Sequence, residues 1–513
     1  MPVFSQTLID TTPTDDACPR WEQALGWVRA AIVVWLLLVG LWSGPAYGAT
    51  LAYPNGMPAV EIVLLVVLIL LARRGRVSSV WSYPFTWPCL ALLGLCALTT
   101  GVRVFVRGVP FDVLRLWQNG EPMLRGLLLY LAIAGQPRLA RLAWGSMLVG
   151  ITLSSAATVV QYLTGVVRWY RNLDVGYAGG IHPARVDILS DRFGRPLSRA
   201  QGLTSYINLT AAISAAALPY WLLPPLLRVP LTRPVRVLLL LGGGLTAAAL
   251  WFTNSRGPAL AVAVVAVGFL WRLRQRWGIG VLIGLLCFVL GISPTIPLWA
   301  VGIAVVAAAL TGGYFRPARW ALFSVTLGLG LAIGIRVVVV NIMHYPSAAR
   351  VQQGVDDPER SNIYRDALAA IRVAPWVGIG DAAMSEREQQ LAARHLIDLL
   401  PRTQRNAHCQ YLQWIAAEGA PVALGFILLT LGVVGWCWRR AEIWRSPFAR
   451  VLALAGAAGL TIFLFTNLAD AFFWRIEGAG FFWSVFAVTA AVGETEEANS
   501  AATDPPVGNH PLQ

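Results

Sequence analysis

Long apolar runs dominate this chain, and many reach the roughly 20 residues that a helix needs to cross the hydrocarbon core of a bilayer. Such runs begin near Ala30, Met57, Pro88, Met123, Leu142, Leu203, Val235, Pro258, Gly278, Leu298, Ala321, Gln410, Val451 and Gly480. Those near Pro88 and Met123, and the pair around Ser293–Pro297, are short or broken by glycine. The pattern therefore predicts an all-α fold, a polytopic transmembrane bundle of about 12–14 spans. The first run resembles a signal peptide in its small residues at Ala46–Thr50. The long segment before it, with Asp10, Asp15, Asp16 and Glu22, instead favours a retained anchor.

The polar connectors fall into two kinds. One set is short and nearly pure arginine: Arg73/Arg74/Arg76, Arg138/Arg141, Arg228/Arg233/Arg236, Arg272/Arg274/Arg276, Arg316/Arg319 and Arg439/Arg440/Arg445, with Glu442 as the one acid. Cytoplasmic loops carry such an excess of basic residues, so this set is expected inside, and both termini with it. The opposite connectors, Gly101–Pro122, Val166–Ala200 and His344–Ala407, are longer and mix both signs of charge. Loops of that length are uncommon without a function. Helical spacing in Asn362–Ala374 and Asp381–Leu400, separated by Pro375, Gly378 and Gly380, predicts a small helical cap on the outer face.

The expected organisation is then a cytoplasmic segment over 1–29 and a transmembrane bundle over 30–341, with outer loops near 101–122 and 166–200. A large periplasmic loop covers 342–407, transmembrane helices 408–492, and a disordered cytoplasmic tail 493–513, acidic and then proline-rich.

Composition supports the membrane reading. The chain has 513 residues, 57% hydrophobic and only 13% charged, too little polar surface for a soluble protein of this size. The formal charge is +14 and every basic residue is Arg. Genomic base composition can account for arginine alone; the charge itself suits anionic lipid or a phosphate-bearing substrate. No nucleic-acid motif, phosphate-binding glycine loop or dinucleotide fingerprint is present. The six Cys are scattered without a CxxC pair, and no HxxxH or HExxH occurs, so no metal and no cofactor is expected.

A few polar residues stand where a water-facing cavity could meet the bundle. Of the five His, His408 begins the return into the membrane, in Arg405-Asn406-Ala407-His408-Cys409-Gln410-Tyr411. There it could accept a proton near neutral pH, or merely cap a span. Arg199 and Arg256 lie at outer span edges without an acid beside them. A guanidinium fork in that position fits phosphate oxygens; snorkelling to headgroups is the alternative. Arg336 is the most deeply intramembrane arginine, a functional candidate on that ground, although it could also reach the outer interface.

Four patches, in order, resemble the O-antigen ligase and O-antigen polymerase superfamily of bacterial membrane glycosyltransferases. They are Arg199-x-x-Gly202 with Asn208; Asn254-Ser255-Arg256-Gly257; Arg360-x-x-x-Tyr364 running to Pro375-x-x-Gly378-x-Gly380; and His408-Cys409-Gln410-Tyr411-Leu412-Gln413 with Glu418, Gly419 and Gly425. The likeness spans Arg199 to Gly425, and departs at Cys409, where the family carries Asn, Ser or Gln.

The resemblance implies transfer of a glycan from undecaprenyl pyrophosphate to an acceptor hydroxyl on the periplasmic face of the inner membrane, without metal or nucleotide. The acceptor would be lipid A-core in a ligase and a growing lipid-linked polysaccharide in a polymerase. His408 would be the catalytic base. Arg199, Arg256, Arg360 and Arg336 would serve the pyrophosphate or substrate, and Gly202, Asn208, Gly257, Gly378, Gly380, Glu418 and Gly419 would shape the motifs. The rival class is a flippase for the same lipid-linked substrate. Transporters usually show internal repeats and midplane sites; this chain shows no repeat, and its charge gathers in outer loops and span edges.

Overall fold

The structure, a computed structural model, describes residues 20–38, 83–107, 113–164, 189–190, 196–197, 207–227, 229–253, 255–273, 358–380, 409–473 and 476–503. Over these residues the chain is helical: α1 (Arg20–Leu38), α2 (Thr86–Arg107), α3 (Val113–Ile133), α4 (Pro137–Thr164), α5 (Ile207–Leu226), α6 (Arg233–Phe252), α7 (Arg256–Leu273), α8 (Pro358–Val373), α9 (Gln410–Glu418), α10 (Ala420–Ile443), α11 (Pro447–Thr466) and α12 (Ile476–Thr503). A two-residue antiparallel pairing, β1 (Leu189–Ser190) with β2 (Pro196–Leu197), is the one strand pairing among the described residues. Six of these helices, α2, α4, α5, α6, α10 and α11, are long and apolar enough to cross a membrane. The all-helical, multi-pass architecture expected from the hydrophobic pattern is the one observed.

Two helices form the hub. Of their apolar windows, 72% is buried in α5 and in α11, against 33% in α2 and α6. Hub helices can approach closely because small residues line them. At Gly459 of α11 an added Cβ would run into the Ala216 carbonyl of α5, and at Gly456 it would meet the Thr489 methyl of α12. Small residues at such seams are what membrane helices use to gain packing contacts, since lipid is as apolar as leucine and drives no association by itself. The outer helices keep leucines facing away from the protein, Leu238 and Leu241 on α6 and Leu424, Leu428 and Leu431 on α10, as a lipid-bathed surface requires. At the centre Trp414, Phe426, Phe463, Phe473, Phe482 and Trp483 interlock, with the Trp414 and Phe426 rings stacked 4.6 Å apart.

Helix ends sort into two sets. At one end the turn between α3 and α4 and the turn between α10 and α11 meet the acidic end of α12. Tyr130 donates to Glu494, the Gly135 N–H donates to Thr495 at 3.1 Å, and Arg141 pairs with Glu496 at 3.5 Å. Glu497 accepts from the N–H groups of Arg445 and Ser446, each at 2.8 Å, at the start of α11. These connectors belong to the arginine-rich set. At the opposite end the starts of α5, α7 and α9 meet the turn after α11.

Three expectations need correction. The segment 493–503 is helical, as the end of α12, not a disordered tail; its glutamates find N–H groups and guanidinium partners that a composition argument cannot see. The stretch 101–122, expected as an outer loop, is helical over 101–107 in α2 and over 113–122 in α3. The run from Gln410 is not one span: Gly419, at φ 92°, ends α9 after nine residues, and α10 begins anew at Ala420. The runs near Met57, Gly278, Leu298 and Ala321 lie outside the described residues.

Candidate functional site

The site is built around the short helix α9, whose nine residues span roughly 13 Å at 1.5 Å per residue. Each end of α9 holds a separate polar cluster.

At its N-terminal end, Asp470 in the turn after α11 is the meeting point. Its Oδ2 accepts from the side-chain amide of Asn208, at the start of α5, at 2.9 Å. Its Oδ1 accepts from the Ala471 N–H at 2.8 Å. Asn208 in turn accepts from the Ser255 hydroxyl at 2.6 Å, which ties in the start of α7. Gly257 fits here because its Cα passes so near the turn that an added Cβ would stand 3.1 Å from that of Ala469. The N–H of Gln410 donates to the carbonyls of Asn467 at 2.9 Å and Asp470 at 3.2 Å, which fixes where α9 starts. Asn467 holds the turn itself, donating to the Phe463 carbonyl at 2.7 Å and accepting from the Phe472 N–H at 3.1 Å. Tyr411 donates to the Leu464 carbonyl at 2.9 Å; burial, and then the neighbouring Cys409, push its phenol up to about 12, so it stays a neutral donor.

The C-terminal cluster is tighter. The turn Pro375–Gly380, which follows α8, lies along the end of α9 as a short backbone ladder. Ile379 N–H donates to Ala416 O at 2.8 Å, Gly380 N–H to Ala417 O at 3.0 Å, and Ala420 N–H to Pro375 O at 2.8 Å. Both sides need glycine. Gly378 (φ 65°), Gly380 (φ 79°) and Gly419 (φ 92°) hold left-handed conformations. A Cβ on Gly378 would strike the Ala417 carbonyl, and one on Gly419 the Trp376 carbonyl. Beneath the ladder Glu418 is buried and ion-paired with Arg103 of α2 at 3.0 Å, and Asn119 of α3 donates to its other oxygen at 3.4 Å. Next along α3, Glu121 and Arg125 form a second buried pair at 2.8 Å.

Segments carrying all four motif patches thus gather around α9. Asn208 and Ser255 meet at one end with the chain that leaves Cys409, and Gly378, Gly380, Glu418 and Gly419 meet at the other. Arg256 is the first residue of α7, and Arg360 lies in the first turn of α8; the backbone of both is described. Arg199, Gly202, Arg336 and His408 lie outside the described residues.

Sequence reasoning missed Asp470, Asn467, Arg103, Asn119, Glu121 and Arg125. Asp470 did carry a signal, as the one ionisable residue in the run from Val451 to Phe473, where such a residue is a functional candidate by default. Arg103 and Glu121 carried none, because both fell in a segment read as loop.

Compared with known proteins, residues 241–427 match the model of the O-antigen ligase family. No curated protein matches the chain. The matched segment contains Ser255, Arg256, the Gly378 turn and the whole of α9, and it stops short of Asn208, Arg103 and Asp470 on either side. The match bears out the resemblance to that superfamily read from the motif patches.

Proposed function

We propose that the protein is a membrane glycosyltransferase that moves a glycan from undecaprenyl pyrophosphate to an acceptor hydroxyl on the periplasmic face of the inner membrane. The reading rests on the family match together with one observation: Asp470 joins three motif segments, its buried carboxylate accepting from Asn208, which accepts from Ser255, and its main-chain carbonyl accepting from the start of α9. That junction lies at the end of the bundle opposite the arginine-rich connectors. With those connectors in the cytoplasm, as the excess of basic residues argues, both termini are cytoplasmic and the junction faces the periplasm.

The chemistry follows from what the donor carries. The acceptor oxygen attacks the anomeric carbon, the bond from that carbon to the pyrophosphate oxygen breaks, and undecaprenyl pyrophosphate leaves. A single displacement inverts the anomeric centre. Negative charge grows on the leaving oxygen, and Arg256, delivered next to the Ser255 bond, and Arg199, upstream of Asn208, stabilise it as preorganised donors. His408, two residues before the anchored Gln410, takes the acceptor proton. Arg360 and Arg336 assist substrate binding. Arginines neutralise the pyrophosphate, so no metal or cofactor is required.

The test is transfer by purified protein in detergent, with an undecaprenyl-pyrophosphate-linked glycan and either lipid A-core or a second lipid-linked glycan as acceptor. We expect transfer that persists in EDTA. Product on lipid A-core identifies a ligase, and an elongated lipid-linked glycan a polymerase. No transfer to either acceptor would discard the enzyme reading in favour of a flippase. Reporter fusions at Arg74, Arg274 and Arg394 check the orientation; a cytoplasmic signal at Arg394 would overturn it.

A further inference from the structure

We infer that Arg103 is a positioning residue for the transfer reaction, acting as a latch that holds α8 and its glycine turn against α9. The inference rests on the glycosyltransferase reading only for its kinetic consequence.

The latch is visible in what one guanidinium touches. Arg103, 4% exposed, donates to Thr100 of its own helix at 2.8 Å, to the Val377 carbonyl in the turn after α8 at 3.3 Å, to the Ala417 carbonyl at the end of α9, and to Glu418 at the helix break at 3.0 Å. A single side chain of α2 therefore joins the outer-loop turn, α9 and the junction with α10. Arg103 lies outside the matched family segment and outside every motif patch.

α8 also meets α9 through an apolar seam and the backbone ladder. Its apolar contact with α9 consists of Ala370, Ala374, Ile379, Ala416 and Ala417 with Ile371 beside them, mostly single methyl groups that bury little area. The backbone ladder adds three hydrogen bonds. Without Arg103, the buried Glu418 would lose its guanidinium partner, which favours opening of the break. Arg103 thus ties the turn to the bundle, and its loss lowers the docked population.

The kinetic consequence follows from population shift. If the acceptor binds the docked form, undocking raises its apparent KM by the reciprocal of the docked fraction, while saturating acceptor restores docking and keeps kcat. Loss of a catalytic group would do the reverse.

The test uses full-length protein in detergent, with hydrogen exchange at the Ile379, Gly380 and Ala420 amides referenced to amides of α11, alongside acceptor kinetics. In Arg103→Ala we expect those three amides to exchange about tenfold faster or more, with α11 unchanged. Acceptor KM should rise about tenfold with kcat within about threefold. Arg103→Lys, which keeps the charge but not the fork, should fall between and covers the case in which the alanine variant fails to fold. The reversed pair Arg103→Glu with Glu418→Arg should not recover wild-type KM, because a carboxylate at 103 would face the Val377 and Ala417 carbonyls. Wild-type exchange at Ile379 and Gly380 in both single variants, a loss confined to kcat, or full rescue by the reversed pair would each overturn the latch. Absence of transfer by the wild type would sink the glycosyltransferase reading instead, and the exchange data would still decide the latch.

Discussion

Asn208 and Asp470, 262 positions apart, share a hydrogen bond of 2.9 Å whose direction is set by a third residue. The Ser255 hydroxyl donates to Asn208 Oδ1, so the amide nitrogen must point at the carboxylate. The relay runs one way, from Ser255 through Asn208 to Asp470, and it joins the starts of α7 and α5 to the turn after α11.

A one-way relay makes the two side chains exchangeable together but not singly. Asp470→Asn leaves one oxygen where two bonds are accepted, and Asn208→Asp sets two carboxylates against each other. Either variant should lower transfer about tenfold or more, since an unsatisfied buried group costs about 1–3 kcal/mol. The double variant Asn208→Asp with Asp470→Asn lets the new amide donate to the new carboxylate and should recover most of the activity. Transfer measured per folded protein decides it; a double variant no better than the worse single one would reject the relay.

Gly378 and Gly419 both have positive φ, and each faces backbone of the opposite segment, Gly378 that of Ala417 and Gly419 that of Trp376. Gly419→Ala should destabilise the protein by about 1–3 kcal/mol through strain alone, with the carbonyl clash adding to it. Gly425→Ala makes a useful contrast. There an added Cβ would meet the side-chain ends of Leu92 and Leu95 rather than backbone, so a smaller loss of melting temperature in detergent is expected. Equal losses would mean that backbone conformation is not the constraint at Gly419.

His408 and Arg256 should fail in different ways. His408→Ala should keep donor binding and lose about a hundredfold to ten-thousandfold in turnover. Arg256→Ala should weaken binding of undecaprenyl pyrophosphate as well as turnover, because the donor is charged before the reaction begins. Arg256→Lys should restore part of both, since an ammonium lacks the planar fork. Normal transfer by His408→Ala at normal expression would remove His408 from the mechanism.

At the other end of the bundle, Glu497 accepts two N–H groups at the start of α11 and so acts as a cap supplied by another helix. Glu497→Ala should cost about 0.5–2 kcal/mol, the usual worth of a cap. Truncation after Gly493, which also removes the partners of Tyr130, Gly135 and Arg141, should cost more. A melting temperature unchanged by truncation would return the segment to the status of a passive tail.

The hydrophobic pattern by itself determined the class of fold. Runs of apolar residues long enough to cross a bilayer can satisfy their backbone only as helices, so α4, α5, α6, α10 and α11 were legible from local composition. Pairs of motif residues close in sequence were legible too, since Glu418 and Gly419 sit side by side wherever the chain goes. What depended on partners distant in sequence was not legible. Arg103 and Glu418 pair across 315 positions, and nothing near either names the other. Whether 493–503 forms a helix turned on Tyr130, Arg141 and Arg445 arriving beside it, and whether the run from Gln410 is one helix or two turned on the Pro375–Gly380 backbone filling the gap at Gly419. Burial of a polar group is tolerable only where a partner meets it, and for these residues only the tertiary structure decides which partner that is.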